Sequence, residues 1–366
     1  MTEAEHDPLQ PATEGVEGDD ETPLTLEFTL QHDLDKRLDR YLVDRVPTLS
    51  RTQIQKLIDE KAVSVNGRVP KASTKLHKGD HIVAVLPPPP SEHTPADEIP
   101  LHVLFEDNDL IVLNKQAGLI VHPARSHKRG TLVNALVWHF RHVTSGALSG
   151  VGKEFARPGV VHRLDKWTSG VMVAAKGDTA HWRLAKQFER RTTGKRYLAV
   201  VHGKPEPDTD RIDMPLGKHP TIREMYAVRW DDTGKSSQTI FRVRERYEGF
   251  ALVELELLTG RTHQIRVHMS HLGWPLAGDD LYCGKHLSAG DLGLPGQADR
   301  VVIDRQALHA SLLSFEHPMD PRPLTFTAPL PDDLRELIGG LRARGYQAVD
   351  APGSTLDLAA LGIPRS

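Results

Sequence analysis

The chain has 366 residues, of which 39% are hydrophobic, so it can form about two domains with buried cores. Its formal net charge is −3, no apolar run is long enough to span a bilayer, and no signal-peptide pattern opens it. The single cysteine, Cys283, excludes an intrachain disulfide and a cysteine-rich zinc site. These features predict a cytoplasmic protein that does not act at a membrane.

The acidic balance is concentrated at the start of the chain. Residues 1–25 hold eight acids and no Lys or Arg, which leaves 41 acids against 46 bases and a net charge of +5 for the remainder. We expect residues 1–24 to form a disordered acidic tail. Residues 51–78 carry seven cations against two acids. A local excess of this kind is typical of a nucleic-acid footprint, although a solvated surface can produce it too.

The next segment predicts a small α/β domain over residues 25–87. Apolar residues recur at helical spacing over residues 35–46, and a second helix follows Ser50. Asn66-Gly67 predicts a tight turn between two short strands, and residues 81–86 form a further strand. The proline-rich residues 88–99 are expected to be an extended linker.

Residues 100–345 predict a second, larger domain. Strands are expected at 101–105, 110–113, 196–201, 239–247 and 251–258, and helices at 131–140, 179–191 and 261–272. Because strands outnumber helices and short turns join many of them, we expect an α+β fold with a mixed, largely antiparallel sheet and flanking helices. Residues 346–366 are expected to be an irregular C-terminal tail.

One short segment indicates chemistry. Asp165 lies between cations in the sequence HRLDKWTSG at residues 162–170. Neighbouring positive charge keeps a carboxylate ionised, and such a group can serve as a nucleophile, a base or a metal ligand. The segment alone does not choose among these roles. An aspartate with no catalytic role, in a turn between solvated cations, could have the same sequence.

Three further segments argue against an ordinary turn. They read NKQAGLIVHP at 114–123, KRYLAVVHG at 195–203 and TGRTHQIRVH at 259–268. In order and spacing, the four segments resemble the motifs of the large-subunit ribosomal RNA pseudouridine synthases of the RluA/RluD type. The resemblance runs from about residue 98 to 337. It implies an α+β core with a central cleft, and an enzyme that isomerises uridine to pseudouridine in RNA without a cofactor.

The N-terminal domain resembles the alpha-L RNA-binding module of a small-subunit ribosomal protein, which often precedes the synthase domain in this family. In that module the second helix and the hairpin contact the RNA backbone. The resemblance implicates six residues of this chain in RNA binding: Arg51, Gln55, Lys56, Lys61, Arg68 and Lys71. An ordinary solvated helix face is the alternative.

The family resemblance also assigns roles within the larger domain. Asp165 matches the aspartate that acts at the glycosidic bond, by attack on the sugar or on a ring carbon or by proton removal from the ribose. Arg266 matches the arginine that ion-pairs with it, and Tyr197 matches the tyrosine that stacks on the target base. Arg163 matches the arginine that reaches into the RNA. Asn114 and Lys115 line the cleft in the family, where phosphate contact and structural bonding are both possible.

The sequence predicts no metal and no nucleotide. His263, His268 and His271 do not have the spacing that aligns two ligands on a helix, and no complete phosphate-binding loop is present. We therefore expect RNA as the partner, namely large-subunit ribosomal RNA or its precursor, and a monomeric protein. Two alternatives stay open: a synthase acting on transfer RNA, and a non-catalytic RNA-binding or ribosome-assembly factor with an inert synthase fold.

Overall fold

The computed structural model describes residues 24–46, 51–86, 94–122, 128–151 and 158–364. The chain divides into two compact units, Met1–His93 and Thr94–Ser366. The predicted acidic tail, except for Leu24, and the proline-rich first half of the predicted linker lie outside the described residues. None of the described helices combines the length and the apolar character that crossing a bilayer requires.

The N-terminal unit is a small α/β structure. Its elements are β1 (Leu24–Thr29), β2 (Leu34–Arg37), α1 (Leu38–Arg45), α2 (Arg51–Asp59), β3 (Val63–Val65), β4 (Lys75–Leu76) and β5 (His81–Leu86). Strands β1, β5 and β3 form an antiparallel sheet in that order, and β2 pairs with β4. The apolar stripes of both helices pack on this sheet through Leu38, Leu42, Ile54 and Ile58. The predicted Asn66-Gly67 turn is present, with φ of 52° and 72° at the two residues.

The larger unit contains one ten-stranded sheet and two separate two-stranded sheets. Its strands are β6 (His102–Glu106), β7 (Leu110–Lys115), β8 (Ser169–Ala175), β9 (Gly194–His202), β10 (Thr209–Asp213), β11 (Leu216–Lys218), β12 (Tyr226–Val228), β13 (Gln238–Arg246), β14 (Phe250–Leu257), β15 (Leu287–Ser288), β16 (Val301–Ile303), β17 (Leu308–Glu316), β18 (Pro323–Thr327) and β19 (Gln347–Ala348). Its helices are α3 (Leu132–His142), α4 (Asp178–Arg190), α5 (Gln264–His271), α6 (Ala289–Leu292) and α7 (Asp332–Ala343).

The sheet runs β10-β13-β14-β9-β17-β8-β7-β6, with β18 added to β17 and β19 to β13. Only the β17–β8 contact is parallel, so the predicted mixed, largely antiparallel α+β fold is confirmed. Gly170 in β8 lies so close to β17 that an added Cβ would come within 2.2 Å of the Ala310 carbonyl oxygen. A glycine is therefore required where these two strands meet.

Helices cover both faces of the sheet because side chains alternate along each strand. In β9, Tyr197 and Ala199 join the same hydrophobic cluster as α3 and α5, whereas Leu198 and Val200 join the cluster that contains α7. This alternation places the Tyr197 ring on the face of the sheet that carries α5.

The larger unit extends beyond the residues that the sequence assigned to it. The Pro95 carbonyl accepts a 2.8 Å hydrogen bond from Asn134, and Asp97 accepts one of 2.8 Å from the Gly130 amide. At the other end, the segment after β19 is irregular, as predicted, but its apolar residues are buried beside α7: Leu356, Leu361 and Ile363. Residues 94–99 and 347–364 are thus packed parts of this unit.

Candidate active site

A cavity of about 450 Å³ opens on the face of the sheet that carries α5. Five parts of the chain form it: the loop before β8, the C-terminal end of α4 with Arg191, the beginning of β9, residues 257–266 from the end of β14 into α5, and Leu308 of β17. Four cationic residues and two acidic residues lie on its walls: Arg163, Arg191, Lys195 and Arg261, with Asp165 and Glu189. Arg266 contributes a further cation from its floor. The cavity therefore favours an anionic ligand.

Asp165 lies in the loop before β8, where its carbonyl accepts a 3.1 Å hydrogen bond from the Thr168 amide and closes a tight turn. Its side chain is 19% exposed, so the carboxylate can be reached from the cavity. The Nη1 of Arg266 lies 3.4 Å from its Oδ2, and the Nε2 of His263 lies 3.9 Å from the same oxygen. The pair of Asp165 and Arg266 that the family resemblance implied is thus present.

Asp279 and Tyr282 hold the Arg266 side chain in place. It lies in α5 and is 6% exposed, and its Nε and Nη2 both donate 2.7 Å hydrogen bonds to the carboxylate of Asp279. Its guanidinium carbon lies 4.8 Å from the centre of the Tyr282 ring. Burial alone would lower the pKa of Arg266, but the bonds to Asp279 outweigh it and raise this pKa. A charged, rigidly oriented guanidinium therefore faces Asp165.

His263 completes this arrangement just before α5. Its backbone is left-handed, with φ of 55°, so the helix begins at Gln264 rather than at residue 261 as predicted. The Tyr282 hydroxyl accepts from the Tyr226 amide at 2.9 Å and lies 2.8 Å from His263 Nδ1, to which it can donate its proton. Burial lowers the pKa of His263. A neutral ring of this tautomer directs its Nε2 proton towards Asp165.

Tyr197 lies on β9, where it pairs with Leu255 of β14 and Ala310 of β17. It lines the cavity and is only 9% exposed. Burial, assisted by the negative charge of Asp165, raises the pKa of the Tyr197 phenol well above its usual value of 10. The hydroxyl therefore keeps its proton near neutral pH.

Two residues expected to contact RNA in the cleft are placed differently. Lys115 is 0% exposed, and its Nζ donates to the carbonyls of Gln116, Leu119 and Lys166 at 2.9, 3.0 and 3.1 Å. Three donors thus meet three acceptors, which satisfies the buried ammonium. Burial lowers its pKa to about 7, against the opposing effect of Asp165. The prediction of an RNA contact for Lys115 is therefore wrong, because no solvent reaches it.

Asn114, on the neighbouring position of β7, also lies outside the cavity wall. Its side-chain amide donates a 3.3 Å hydrogen bond to the Pro329 carbonyl, a structural contact. Arg163, in contrast, is exposed and lines the cavity, where it is free to reach a ligand.

The residues predicted to bind RNA in the N-terminal unit fall into two groups. Arg51 and Gln55 donate hydrogen bonds of 2.9 and 3.0 Å to the buried carboxylate of Asp39 and so connect α2 to α1. Burial opposes ionisation of Asp39, but these bonds and those from Arg37 hold its pKa well below the usual value. Arg51 still keeps 48% of its side chain exposed. The other four predicted residues are exposed as well: Lys56, Lys61, Arg68 and Lys71.

Sequence reasoning missed four features of the larger unit. Asp279, Tyr282 and His263 were not given roles, although Asp279 and Tyr282 lie in the run AGDDLYCG that ends near Cys283. A second cavity of about 590 Å³ shares residues 260–262 with the first and is lined by Lys218, Arg229 and Lys235. A basic cavity adjoining the first one extends the surface that favours an anionic ligand.

Among the described residues, one group has the spacing of metal ligands: Asp107, Asp109 and His317. Asp107 accepts hydrogen bonds from the amides of Asp109 and Leu110 and lies 2.9 Å from His317 Nε2. These contacts explain the group as a hydrogen-bonded turn, and none of its members lines either cavity. The expectation of a metal-free site stays a prediction.

Comparison with known proteins agrees with this geometry. Residues 109–271 match the family model described as RNA pseudouridylate synthase, and residues 36–82 match the S4 domain. An RNA pseudouridine synthase of Bacillus subtilis (strain 168) is 41% identical over 310 residues, covering 85% of this chain and 95% of that protein. The ribosomal large subunit pseudouridine synthase D of Nitrosomonas europaea is 39% identical, covering 92% and 93%.

A solved structure, human RNA pseudouridylate synthase domain containing 4, superposes with a TM-score of 0.52 at 26% identity, covering 66% of this chain and 93% of that one. The chain belongs to the RNA pseudouridine synthase family and carries an S4 domain at its N-terminal end. The resemblance drawn from the four sequence motifs is thereby confirmed.

Proposed function

We propose that this protein isomerises specific uridines to pseudouridine in large-subunit ribosomal RNA, with Asp165 as its catalytic carboxylate. The observation that carries the proposal is the pairing of a solvent-accessible Asp165 with a buried, fixed Arg266 inside a basic cavity. Support for the substrate comes from relatives named ribosomal large subunit pseudouridine synthase D, in Nitrosomonas europaea and Zymomonas mobilis.

The reaction breaks the bond from the ribose carbon to the ring nitrogen of uracil and forms a bond from the same ribose carbon to a ring carbon. The proton on that ring carbon must leave, and the freed ring nitrogen must gain one. No electron or group is imported, so one reactive carboxylate with proton-transfer partners suffices. Asp165 can attack the sugar or the ring, or remove a ribose proton.

Arg266 orients Asp165 in this scheme. Its Nη1 lies 3.4 Å from the carboxylate, and a guanidinium fixed by Asp279 cannot turn away. The Nε2 of His263 lies 3.9 Å from the same Asp165 oxygen, which is beyond hydrogen-bond distance but places a second polar N–H near the carboxylate. The carboxylate is thus oriented by Arg266 and can still be reached from the cavity.

Tyr197 provides the surface on which the flipped uracil lies. Its ring is buried in the cavity wall, and aromatic rings bind bases by stacking. The protonated hydroxyl acts as a relay: it passes its own proton to the freed ring nitrogen while it takes the proton that leaves the ring carbon. Arg163, exposed at the rim, is suited to enter the RNA stack that the uridine leaves.

RNA outside the target uridine is bound by charge. The exposed cations of the S4 domain and the basic second cavity supply phosphate contacts, which fix the position of the RNA without reading its sequence. The target is expected to be unpaired, because a base in a duplex cannot turn within the site.

The test is isomerisation by the purified protein. Large-subunit ribosomal RNA from cells that lack this gene is incubated with the wild-type protein, and pseudouridines are mapped by chemical derivatisation. We expect new pseudouridine at one or a few positions, and none with Asp165→Asn, an isosteric change that leaves RNA affinity nearly intact. Modification of transfer RNA in place of ribosomal RNA would reject the substrate, and normal turnover by Asp165→Asn would reject the catalytic assignment.

A further inference from the structure

The turn that presents Asp165 also presents a large aromatic ring to solvent. Trp167 is 47% exposed, an unusual state for so large an apolar side chain. It is one of the two corner residues of the turn closed by the hydrogen bond from the Thr168 amide to the Asp165 carbonyl. Asp165 and Thr168, the ends of this turn, both line the cavity. Trp167 is therefore two residues along the chain from Asp165, outside the cavity lining but on the same turn.

The backbone at this corner is rigidly held. The Trp167 carbonyl accepts a 3.0 Å hydrogen bond from the buried Arg305, which in turn bonds to Asp333 through two nitrogens. The preceding carbonyl, that of Lys166, accepts from both the buried Lys115 and the Gly118 amide. Three hydrogen bonds thus fix the backbone carbonyls of Lys166 and Trp167. The exposed Trp167 is therefore preorganised to bind a ligand.

The indole also rests on a surface fitted to it. Gly118 has φ of 83°, and a Cβ at this position would lie 3.1 Å from the six-membered ring of Trp167. The glycine therefore lets the ring pack against the backbone. Lys166 is exposed, with its ammonium 4.9 Å from the ring centre. An aromatic ring and a mobile cation occur side by side, which are the two groups that bind a base and its phosphate.

We propose that Trp167 is a second stacking site, which binds a nucleobase next to the target uridine while Tyr197 binds the uracil itself. The inference rests on the proposed function and extends it from the uridine to its neighbour. Because any base can stack on an aromatic ring, this site adds affinity and positions the RNA strand without selecting a particular base. Lys166 exchanges its contact with the indole for one with the adjacent phosphate.

The experiment measures base-dependent binding by the full-length protein. Two labelled probes are compared by fluorescence anisotropy: a short single-stranded oligouridylate, and a chain of equal length built of abasic riboses. We expect Trp167→Leu to lower the preference for the oligouridylate roughly 5- to 100-fold, since one base stack is lost. Trp167→Phe, which keeps a ring, should retain most of the preference. Trp182→Leu removes a tryptophan that is 64% exposed on α4 and should change nothing.

Several outcomes would overturn the proposal. They are an unchanged preference in Trp167→Leu, an equal loss with both probes, or an equal effect of Trp182→Leu. If Trp167→Leu does not fold, tryptophan emission decides: the oligouridylate, but not the abasic chain, must quench the wild type more than Trp167→Phe. Isomerisation of large-subunit ribosomal RNA is assayed with the same wild-type protein preparation. Its absence would reject the proposed function, whereas the binding preference still decides the role of Trp167.

Discussion

Asp279 binds Arg266 through two hydrogen bonds of 2.7 Å, and both side chains are buried. The third nitrogen of the same guanidinium lies 3.4 Å from Asp165. Asp279 cannot reach the RNA from this position, because it is 1% exposed and lies behind Arg266. It acts as a positioning residue, which sets both the charge and the direction of the guanidinium that faces Asp165.

The Asp279→Asn variant should therefore lose turnover while it still binds RNA. An amide keeps the shape but removes the charge that compensates Arg266, and small displacements of an active-site group can cost on the order of a hundredfold in rate. We expect the rate at saturating RNA to fall by about that factor with an unchanged KM. Asp280→Asn, which alters the exposed neighbouring residue, is the matched control. Equal rates in both variants would remove Asp279 from this role.

A second prediction concerns the hydroxyl of Tyr197. Its raised pKa keeps the phenol protonated near neutral pH, so in the proposed relay it must release its own proton while it accepts another. We expect Tyr197→Phe to bind RNA normally and to turn over about a hundredfold more slowly or worse, as is usual when general acid–base help is lost. Tyr197→Leu should lose affinity as well as rate. Single-turnover release of tritium from labelled uridine measures the rate, and a wild-type rate for Tyr197→Phe would leave stacking as its whole role.

Removal of the N-terminal unit should weaken RNA binding and its dependence on salt. The cut belongs before Thr94, since residues 95–97 bond to the larger unit. Each phosphate contact that is lost reduces the slope of affinity against salt, and the removed unit carries exposed cations at Lys56, Lys61, Arg68 and Lys71. Filter binding at several salt concentrations compares the two chains. The same affinity and slope for both would contradict a role for the S4 domain in binding.

The buried Lys115 predicts a dependence of stability on pH. Its pKa falls from 10.5 to about 7 on folding, because burial disfavours the charged form. Between these values the unfolded chain binds more protons, so the Lys115 contribution to the free energy of unfolding becomes more favourable as pH rises, by at most about 1.4 kcal/mol per pH unit. Below pH 7 the contribution is constant.

Thermal unfolding of the wild type and of Lys115→Met, measured from pH 7 to 10, tests this sign. As pH rises, the wild type should gain stability relative to Lys115→Met, so the difference between their melting temperatures should shift in favour of the wild type. Lys186→Met removes an exposed lysine on α4 and is the matched control, whose curve should run parallel to the wild type. Parallel curves for Lys115→Met would show that its ammonium keeps its ordinary pKa.

Local chemistry explains which parts of the fold the sequence predicts well. Helix α3 begins where expected because the Thr131 side chain and Asn134 bond reciprocally to each other's backbone amides. The Asn66-Gly67 turn follows from two residues that tolerate positive φ. The beginning of α5 was placed three residues too early, because the helical pattern gives no sign that His263 takes a left-handed backbone.

The supporting residues of the site escaped prediction for a different reason. Lysine is rarely buried, so nothing local indicates that Lys115 lies behind the active-site loop. Asp279 follows Arg266 by 13 residues without any periodic pattern, and its role appears only when the chain folds back after α5. The motifs identified the groups that face the cavity, whereas the groups that orient them depend on tertiary contacts.

Strand β17 has a consequence for any attempt to find a minimal enzyme. Residues 109–271 contain Asp165, Tyr197 and Arg266, yet β17, which lies between β8 and β9, begins only at Leu308. A partial gene that ends soon after the last motif would encode all four sequence motifs. It would lack β17, so β8 and β9 would have no strand between them, and it would lack Asp279, which binds Arg266. Split versions of the protein should accordingly regain activity only when the fragment that supplies β17 is added back in trans.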